Sequence, residues 1–493
     1  MTRRIEKLTA TNGQKIEFVY DDTPTASGGM KDVYFSPNKD YVVGFFRDKQ
    51  EQDAQERMEL ICGKYRENMF NQAGGEYLQN LYCWPKAVVK WRGKLGVVSP
   101  FYRKCFFFNG KVFSGKDKIG KWFISTKVRE LFKKQGAERE LGNWMQMLKI
   151  CIMLARATRR MHAAGLAHSD LGYNNCLIDP LSGQACLIDI DGLVVPGKHP
   201  PQVVGTPDFI APEVLASSKS SNRVLPSRTT DLHALAVLIY QLLLLRHPLR
   251  GRRICHPDPE IDEELSMGSK ALWIENPTDS SNRTDIDNSE YWEKFWLDTD
   301  TLPYTVTGPY LAKLFERAFI DGLHQPNRRP QAQEWEDALV KTVDLLQPCG
   351  NKSCEQKWYA FDNTRSPRCP FCGEHYSGKL PVLNLYSGTP DGKFRQDNHR
   401  LMVYSGQSLF KWHADRRIAP NEKLSAEDAK RVGYFVLHNG DWYLVNERLP
   451  DMKLVSPEKR TIAINDKVKL ADGVQILLQN GVGGRLLHIQ MVG

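Results

Sequence analysis

A set of carboxylate and amide side chains in the middle of the chain constrains its fold more than any other feature. Asp170 and Asn175 lie in the segment His168-Ser169-Asp170-Leu171-Gly172-Tyr173-Asn174-Asn175, after a predicted helix and before a predicted strand. Asp189 stands at the end of the next predicted strand, in Leu187-Ile188-Asp189-Ile190-Asp191-Gly192. Consecutive short strands usually lie side by side, so we expect these polar groups to meet at one place in the fold.

Phosphoryl transfer requires such a set of groups, because its catalysis consists mainly of positioning and charge neutralisation. We expect Asp170 to orient the attacking hydroxyl group and to accept its proton. Asn175 and Asp189 offer the oxygen atoms that Mg²⁺ or Mn²⁺ prefers, and they would hold the ion against the phosphates of ATP. The same chemistry requires a cation that anchors the phosphates that are not transferred.

These residues belong to a longer series of motifs that resembles the series found in protein kinases. Asp170 and Asn175 fall on the catalytic loop of that family, and Gly205-Thr206-Pro207-Asp208-Phe209-Ile210-Ala211-Pro212-Glu213 is similar to the end of its activation segment. Asp231 opens a strongly apolar helix, and Arg329-Pro330 follows late in the chain. The resemblance implies that Asp231 ties its helix to the catalytic loop and that Arg329 pairs with Glu213.

The resemblance to protein kinases covers about residues 15–346. It implies an α+β, bilobal fold in which ATP binds between a small β-rich lobe and a helical lobe. We therefore expect a protein-kinase-like domain at 1–347, with the first lobe ending at about residue 104. Residues 251–300 carry few periodic signals and many turn residues, which indicates an acidic insertion in the second lobe.

The lysine that anchors phosphates is not at its usual place in the family. The strand Tyr41-Val42-Val43-Gly44-Phe45-Phe46-Arg47 contains no Lys, but the preceding turn reads Gly28-Gly29-Met30-Lys31-Asp32-Val33. A few kinases carry their catalytic Lys on this loop, and the segment is similar to theirs. We expect Gly28, Gly29, Lys31 and Val33 to bind ATP, with Lys31 as the phosphate anchor. Arg47 is the alternative anchor, and Glu56 and Glu59 are candidates for the acidic partner.

The metal-binding and activation segments also depart from the family. Asp189 matches the metal-binding Asp, and Asp191 is either a second metal ligand, a competitor for that role or a turn carboxylate. Ser169 replaces the Arg that normally binds an activation-loop phosphate, and residues 193–204 contain no Ser, Thr or Tyr. We therefore predict an enzyme that is not switched on by phosphorylation within this segment.

Four cysteines form a metal-binding pattern near residue 360. Two close pairs, Cys349-x4-Cys354 and Cys369-x2-Cys372, can present four thiolates to one Zn²⁺ ion. The segment is too short to build its own apolar core, so bound metal would hold it folded. We predict a structural zinc ribbon over 348–378.

Alternating apolar and polar residues with turns such as Asn439-Gly440-Asp441 predict a small all-β domain at 381–493. Parts of it, including 432–446 and 464–478, resemble the later strands of a forkhead-associated β-sandwich. Ser425 stands near the place of that family's phosphopeptide-contacting Ser, but the Gly-Arg of its phosphate pocket is not evident. The sequence leaves open whether this domain binds a phosphopeptide.

Charge is unevenly distributed along the chain. Residues 86–139 contain fifteen Lys and Arg against three Asp and Glu, a net charge of +12, and they are interleaved with aromatic residues. Such a stretch can bind single-stranded nucleic acid, although solvated strands and helices look the same. The 41% of hydrophobic residues excludes a mainly disordered chain. No apolar segment suggests a secretory signal or a membrane span, so we expect a cytoplasmic protein.

The sequence as a whole predicts a protein Ser/Thr kinase that uses ATP and Mg²⁺ or Mn²⁺ to phosphorylate a protein substrate. The arrangement resembles bacterial kinases of tellurite-resistance-type operons, which implies a von Willebrand A-type protein and a metal-dependent protein phosphatase as partners. The alternatives are a nucleotide-binding pseudokinase scaffold, a nucleic-acid-binding protein that uses 86–139 and the zinc ribbon, and a related enzyme that transfers AMP.

Overall fold

The computed structural model describes residues 4–24, 26–27, 30–195, 205–361 and 367–493. The chain forms two compact units. The first contains Met1–Gly142, Lys149–Thr299 and Leu314–Glu336, and the second contains Asn143–Leu148, Asp300–Lys313 and Asp337–Gly493.

The first unit begins with a small lobe built on an antiparallel sheet. A hairpin of β1 and β2 precedes a five-stranded sheet with the order β3-β4-β5-β7-β6. Between β5 and β6 a helix runs from α1 through a π-helical turn at Ile61–Tyr65 into α2. The elements of this lobe are β1 (Arg4–Thr9), β2 (Lys15–Tyr20), β3 (Ala26–Ser27), β4 (Lys31–Phe35), β5 (Tyr41–Phe46), α1 (Gln52–Leu60), α2 (Arg66–Phe70), α3 (Gly75–Leu78), β6 (Ala87–Trp91) and β7 (Lys94–Pro100).

Side-chain alternation along β5 separates the core of this lobe from the surface that faces the second lobe. Successive residues of a strand point to opposite faces of a sheet. Val43 and Phe45 therefore enter a buried cluster with Phe18 and Tyr34, while Phe46 packs on the other face beside the α1 residue Met58.

The second lobe of this unit is helical. Its central helix α8 is buried from Thr230 to Leu244, as its apolar sequence predicts. The acidic stretch 251–300 contains α9 and α10, and it buries Trp273 and Ile274 completely. The elements are α4 (Lys121–Ile124), α5 (Thr126–Lys134), α6 (Trp144–Ala163), β8 (Cys176–Asp179), β9 (Gln184–Leu187), α7 (Pro212–Ala216), α8 (Arg228–Leu244), α9 (Pro259–Met267), α10 (Tyr291–Leu297), α11 (Pro309–Glu316) and α12 (Ala332–Val343). The second unit includes residues 144–148 of α6, 309–313 of α11 and 337–343 of α12.

The second unit is mainly β-structure, with two antiparallel sheets. One has the order β13-β12-β21-β20-β17-β18 and the other the order β14-β15-β16-β19. Asn439 and Gly440 both have positive φ angles in the turn between β15 and β16, which is typical of tight hairpins. The elements are β10 (Leu346–Pro348), β11 (Trp358–Ala360), β12 (Leu380–Gly388), β13 (Phe394–Met402), β14 (Ser408–Phe410), α13 (Lys411–Ala414), β15 (Arg431–His438), β16 (Asp441–Asn446), β17 (Lys453–Ser456), β18 (Arg460–Thr461), β19 (Lys467–Leu470), β20 (Gln475–Leu477) and β21 (Arg485–Val492).

The predicted fold class is confirmed by this architecture. A β-rich lobe and a helical lobe form the first unit, and an all-β domain follows them in the chain. Among the helices that the structure describes, none is both long and apolar enough to cross a membrane.

Candidate active site

A cleft of about 430 Å³ lies between the two lobes of the first unit. Lys31 and Val33 line it from the β-rich lobe, and Asp170, Asp189 and Asp191 line it from the helical lobe. Its volume falls in the range of small-molecule sites in proteins. The cleft therefore brings together the cation and the three carboxylates that the sequence predicts.

The upper wall of the cleft is formed by the second face of β5. Val42, Gly44 and Phe46 line the cleft, since they alternate with the core residues of the same strand. A Cβ atom on Gly44 would lie 3.4 Å from Cδ of Lys31. The aliphatic part of Lys31 therefore passes directly over Gly44 on this wall.

Lys31 points into the cleft from β4. It is the register partner of Phe46 on β5, and its Nζ lies 4.8 Å from the centre of the Phe46 ring. Nζ also lies 3.4 Å from Oδ1 of Asp189 and makes a shorter contact with Oδ2 of Asp191. The alternative cation, Arg47, donates from Nε to Oδ1 of Asp32 at 2.9 Å.

The two carboxylates that contact Lys31 differ in exposure. The side chain of Asp191 is 8% exposed, whereas that of Asp189 is 53% exposed. Burial lowers the pKa of Lys31, but the carboxylates of Asp191 and Asp189 outweigh burial, and the net result is a raised pKa. Lys31 therefore carries a firmly bound proton in the presence of both acids.

The catalytic-loop residues bind each other directly. Nδ2 of Asn175 donates to Oδ2 and to the main-chain oxygen of Asp170, each at 2.8 Å. Thr206 donates to Oδ1 of Asp170 from its main-chain N–H at 2.6 Å and from its hydroxyl group at 2.8 Å. These bonds fix the Asp170 carboxylate on the cleft side of the helical lobe.

A buried carboxylate holds the loop that carries Asp170. Oδ2 of Asp231 accepts a hydrogen bond from the main-chain N–H of His168 at 2.7 Å, and Oδ1 accepts one from Ser169 at 3.0 Å. Arg329 donates to both oxygens of Glu213 at 2.8 and 2.7 Å. Both pairings lie within the helical lobe.

The strand that carries the metal-site candidates is joined to the catalytic loop. The main-chain N–H of Ile188 donates to the main-chain oxygen of Asn175 at 3.0 Å. Nε2 of His168 lies 3.0 Å from the main-chain oxygen of Ile188, within hydrogen-bond distance. Asp189 follows with a φ angle of 61°, which turns the chain sharply at this point. Asp189 and Asp191 consequently both reach the cleft.

Comparison with known proteins agrees with this geometry. Residues 124–296 match the sequence model of the protein kinase domain, and this segment contains Asp170, Asn175, Asp189 and Asp231. The first unit has a protein-kinase-like fold.

The similar proteins share only parts of their length with this chain. The serine/threonine-protein kinase PknD of Chlamydia pneumoniae is 26% identical over 153 residues, which cover 26% of this chain and 16% of that protein. PknD of Chlamydia abortus is 30% identical over 155 residues, covering 26% and 15%. PknD of Chlamydia trachomatis serovar D is 26% identical over 204 residues, covering 32% and 21%. This chain thus spans less than a quarter of each of these relatives.

A solved structure is also similar. It is ROP2 of Toxoplasma gondii, described as a virulence factor with a protein-kinase fold and no enzymatic activity. It has a TM-score of 0.42 and is 13% identical, and the match covers 69% of this chain and 84% of that one.

The kinase-like cleft contains residues that sequence reasoning missed. Arg57 of α1 lines it and is only 3% exposed. Burial lowers the pKa of Arg57, while the Asp191 carboxylate acts in the opposite direction. The expected acidic partners instead accept hydrogen bonds within α1, Glu56 from Gln52 and Glu59 from Gln55. The sequence signal that could have identified Arg57 is its helical spacing from Ala54, which places both residues on the buried face of α1.

Two predicted segments include residues outside the part of the chain that the structure describes. Gly28 and Gly29 are among them, and so are residues 196–204 of the activation segment. Val33 lies within the described part of the chain and lines the cleft.

The second candidate site is the four-cysteine group of the second unit. The Sγ atoms of Cys349, Cys354, Cys369 and Cys372 all lie within 4.8 Å of one another. The Sγ atoms of Cys349 and Cys372 are 3.4 Å apart, and those of Cys354 and Cys369 are 3.9 Å apart. Tetrahedral zinc with Zn–S bonds of about 2.3 Å would place its sulfur atoms about 3.8 Å apart. The four thiols therefore fit one zinc ion.

The β-sandwich contains Ser425, which the forkhead-associated resemblance singled out, and its neighbours are now defined. The hydroxyl group of Ser425 donates to Oδ2 of Asp428 at 2.8 Å, and Lys411 donates to Oδ1 of the same carboxylate at 2.6 Å. His413 is buried, with Nε2 3.2 Å from Oδ1 of Asp344. A carboxylate beside both Ser425 and Lys411 opposes the binding of a phosphate group there.

Proposed function

We propose that this protein is an ATP- and Mg²⁺-dependent protein Ser/Thr kinase that transfers the γ-phosphate to a hydroxyl group of a protein. The observation that carries the proposal is the convergence of Lys31, Asp170, Asp189 and Asp191 on one cleft. A cation and several carboxylates around a cleft of nucleotide size are what phosphoryl transfer requires. The kinase-like fold and the Ser/Thr kinase relatives support the same reaction.

Lys31 and the two carboxylates have separate roles in this proposal. Lys31 anchors the phosphates that are not transferred, a task usually performed by a lysine on the strand where Phe46 stands. Asp191 is buried against Lys31 and holds its ammonium group, whereas Asp189 is half exposed and can face a metal ion. Mg²⁺ or Mn²⁺, when bound, neutralises charge on the phosphates. Asp189 and Asn175 carry the oxygen atoms that suit such an ion.

Asp170 acts as the base in the proposed reaction. One of its oxygens accepts two hydrogen bonds from Thr206 and the other accepts one from Asn175, which keep its orientation fixed before a substrate arrives. A fixed carboxylate orients the substrate hydroxyl group and takes its proton as the bond to phosphorus forms. Asp231, Glu213 and Arg329 hold the surrounding segments and have positioning roles.

The remaining parts of the chain have structural or regulatory roles in the proposal. Residues 348–378 form a zinc ribbon in which Cys349, Cys354, Cys369 and Cys372 hold one structural Zn²⁺ ion. The kinase-like domain at 1–347 and the sandwich at 381–493 flank it. The absence of Ser, Thr and Tyr from 193–204 supports an enzyme that is not switched on by phosphorylation there.

The proposed substrates are proteins. By resemblance alone, the partners are a von Willebrand A-type protein, which would be the first substrate to test, and a metal-dependent protein phosphatase.

Intact-mass spectrometry of the full chain tests the reaction. The chain is incubated with ATP and Mg²⁺ or Mn²⁺, with and without a basic protein substrate, beside Asp170→Asn and Lys31→Ala. Lys90→Ala and Asp40→Asn are the matched controls, because both residues are exposed and neither lines the cleft. We expect a gain of phosphate mass in the wild type and both controls, and none in the two cleft variants.

Other outcomes separate the alternatives. A gain of AMP mass would redirect the mechanism to nucleotidyl transfer. Nucleotide binding without any mass gain, with the proposed partner also supplied, would contradict the kinase and favour a pseudokinase scaffold. Activity retained in Lys31→Ala would assign the phosphate anchor to another cation, and Arg57 lines the cleft as well.

A further inference from the structure

A second cavity lies beside the segment that connects the two lobes of the first unit. Its volume is about 250 Å³, and Pro100, Phe101, Tyr102 and Arg103 contribute to its wall. Cys83, Pro100 and Tyr102 line this cavity and also line the cleft described above. A common wall therefore separates the two spaces. We call the second space the connection cavity.

The connection cavity is positively charged. Arg66, Lys86 and Arg103 line it, and among its described lining residues none carries a carboxylate. Arg103 is already oriented, because Nη1 donates to Oδ1 of Asn80 at 3.2 Å and Nη2 donates to the main-chain oxygen of Asn80 at 3.1 Å. A preoriented guanidinium group loses little freedom when it binds an anion.

Aromatic rings supply most of the remaining wall. The guanidinium group of Arg103 lies 4.9 Å from the ring centre of Phe106, and that of Arg66 lies 5.8 Å from the ring centre of Phe70. Rings offer faces and edges for stacking, and guanidinium groups bind carboxylates, phosphates and sulfonates through paired N–H groups. The rings that line the cavity belong to Phe70, Tyr82, Trp84, Phe101, Tyr102 and Phe106.

This cavity gathers part of the basic, aromatic stretch 86–139 into a defined space. Lys86, Phe101, Tyr102, Arg103 and Phe106 all come from that stretch. A space of about 250 Å³ holds one small ring system, whereas single-stranded nucleic acid needs an extended groove with several stacking sites. The size therefore favours a small molecule over a polynucleotide.

We propose that the connection cavity binds a small planar aromatic anion, in which a ring system carries a carboxylate, phosphate or sulfonate group. The ring stacks among the aromatic side chains, and the anionic group pairs with Arg103 and Lys86. The site is separate from the cleft and does not depend on the proposed kinase reaction. Because Cys83 and Tyr102 contact both spaces, an occupant also changes the affinity of the cleft for nucleotide, and the reverse holds by linkage.

The aromatic sulfonate 1-anilinonaphthalene-8-sulfonate (ANS) is a suitable probe, because its naphthalenesulfonate part is a planar aromatic anion of the proposed kind and its fluorescence rises in an apolar site. The full chain is titrated with ANS beside Lys86→Glu, Arg103→Gln and Lys31→Ala. Lys90→Glu is the matched control, because it makes the same charge change four residues from Lys86 on an exposed side chain that does not line the cavity. Near-ultraviolet circular dichroism confirms that each variant is folded.

We expect saturable binding of one ANS molecule, weakened at least about tenfold by Lys86→Glu and by Arg103→Gln. Binding to Lys90→Glu and Lys31→Ala should equal that of the wild type. Equal binding by all variants would overturn the proposal. Loss of ANS binding in Lys31→Ala alone would locate the probe in the cleft and would also overturn the proposal.

Two further arms complete the test. A labelled oligonucleotide that binds through Lys86 and Arg103, in a chain that does not bind ANS, would replace the small-molecule proposal with a nucleic-acid site. A nucleotide affinity that saturating ANS leaves unchanged would overturn the coupling to the cleft. A chain that binds ANS as expected but no nucleotide would contradict the proposed kinase and leave the connection cavity assigned.

Discussion

Replacement of Asp191 by Asn tests the division of roles between the two carboxylates that contact Lys31. At the 3.4 Å between Nζ of Lys31 and Oδ1 of Asp189, unit charges attract by about 5 kcal/mol at an effective dielectric constant of about 20. Water screens much of this attraction, since the side chain of Asp189 is 53% exposed. The side chain of Asp191 is 8% exposed and closer, so it supplies the larger share of the attraction that holds Lys31.

The expected cost follows from these contacts. Removal of one partner of a buried ion pair costs about 3–5 kcal/mol, and Asp189 remains as a weaker partner for Lys31. This is a cost in folding stability. Because ATP must then order Lys31 in the cleft itself, we expect about 2–3 kcal/mol of it to appear as weaker ATP binding in Asp191→Asn, a loss of about 30- to 140-fold. Isothermal titration calorimetry of the full chain with ATP and Mg²⁺ measures the change, with Asp40→Asn on an exposed turn as the control.

A double-mutant cycle with Lys31→Ala gives the decisive comparison. If Asp191 acts through Lys31, then Asp191→Asn should change ATP binding by less than about 0.5 kcal/mol in the Lys31→Ala background. Additive losses, together with a raised Mg²⁺ requirement, would instead identify Asp191 as a metal ligand. Tighter ATP binding in Asp191→Asn would mean that Asp191 competes with the phosphates for Lys31, and the proposed role would be refuted.

Three further predictions concern pH, stability and metal content. On the alkaline side, ATP binding should weaken as the pH rises through the raised pKa of Lys31. Asp191→Asn should move this alkaline limb to lower pH, because burial of Lys31 remains while a carboxylate is lost. An unmoved limb would exclude Lys31 as the titrating group. The same raised pKa stabilises the fold below the unfolded lysine value and ceases to do so above the folded value. Arg329→Met should lower the free energy of unfolding of the kinase-like unit by about 3–5 kcal/mol, since it leaves the Glu213 carboxylate without its buried bidentate partner. In thermal unfolding, the double variant Arg329→Met with Glu213→Gln should recover part of this loss. A double variant whose loss equals the sum of the two single losses would contradict the pairing. The purified chain should contain one zinc ion. Cys354→Ser should abolish zinc binding, whereas replacement of Cys151, a buried cysteine of the helical lobe, by Ser should leave the zinc content unchanged. Equal zinc content in both variants would contradict the site.

The local groups of the site could be predicted from the sequence. Asp170 and Asn175 are five residues apart in one loop, so their meeting depends mainly on local chain geometry. The cysteine pairs are equally local, and close spacing within each pair limits how far the thiols can separate. The apolar run of α8 predicts a buried helix because no face of it is suited to water.

The sequence alone left both Lys31 and Arg47 as candidates for the phosphate anchor. Each cation lies at the end of a predicted strand. Lys31 precedes the apolar residues of one strand, and Arg47 follows those of the next. The pairing of Lys31 with Phe46 across β4 and β5 decides which side chain faces the cleft. A shift of register by one residue would reverse the two faces, and no single segment of sequence specifies that register.

The sequence by itself determined the kinase-like set of polar groups, the buried central helix and the four-thiol cluster, because spacing and periodicity within short segments specify them. Only the tertiary structure decided that Lys31 meets Asp189 and Asp191, that Arg57 enters the same cleft and that Arg103 and Lys86 line a second cavity. These contacts join residues far apart in the chain. They depend on how the β-rich and helical lobes pack together, which local patterns do not encode.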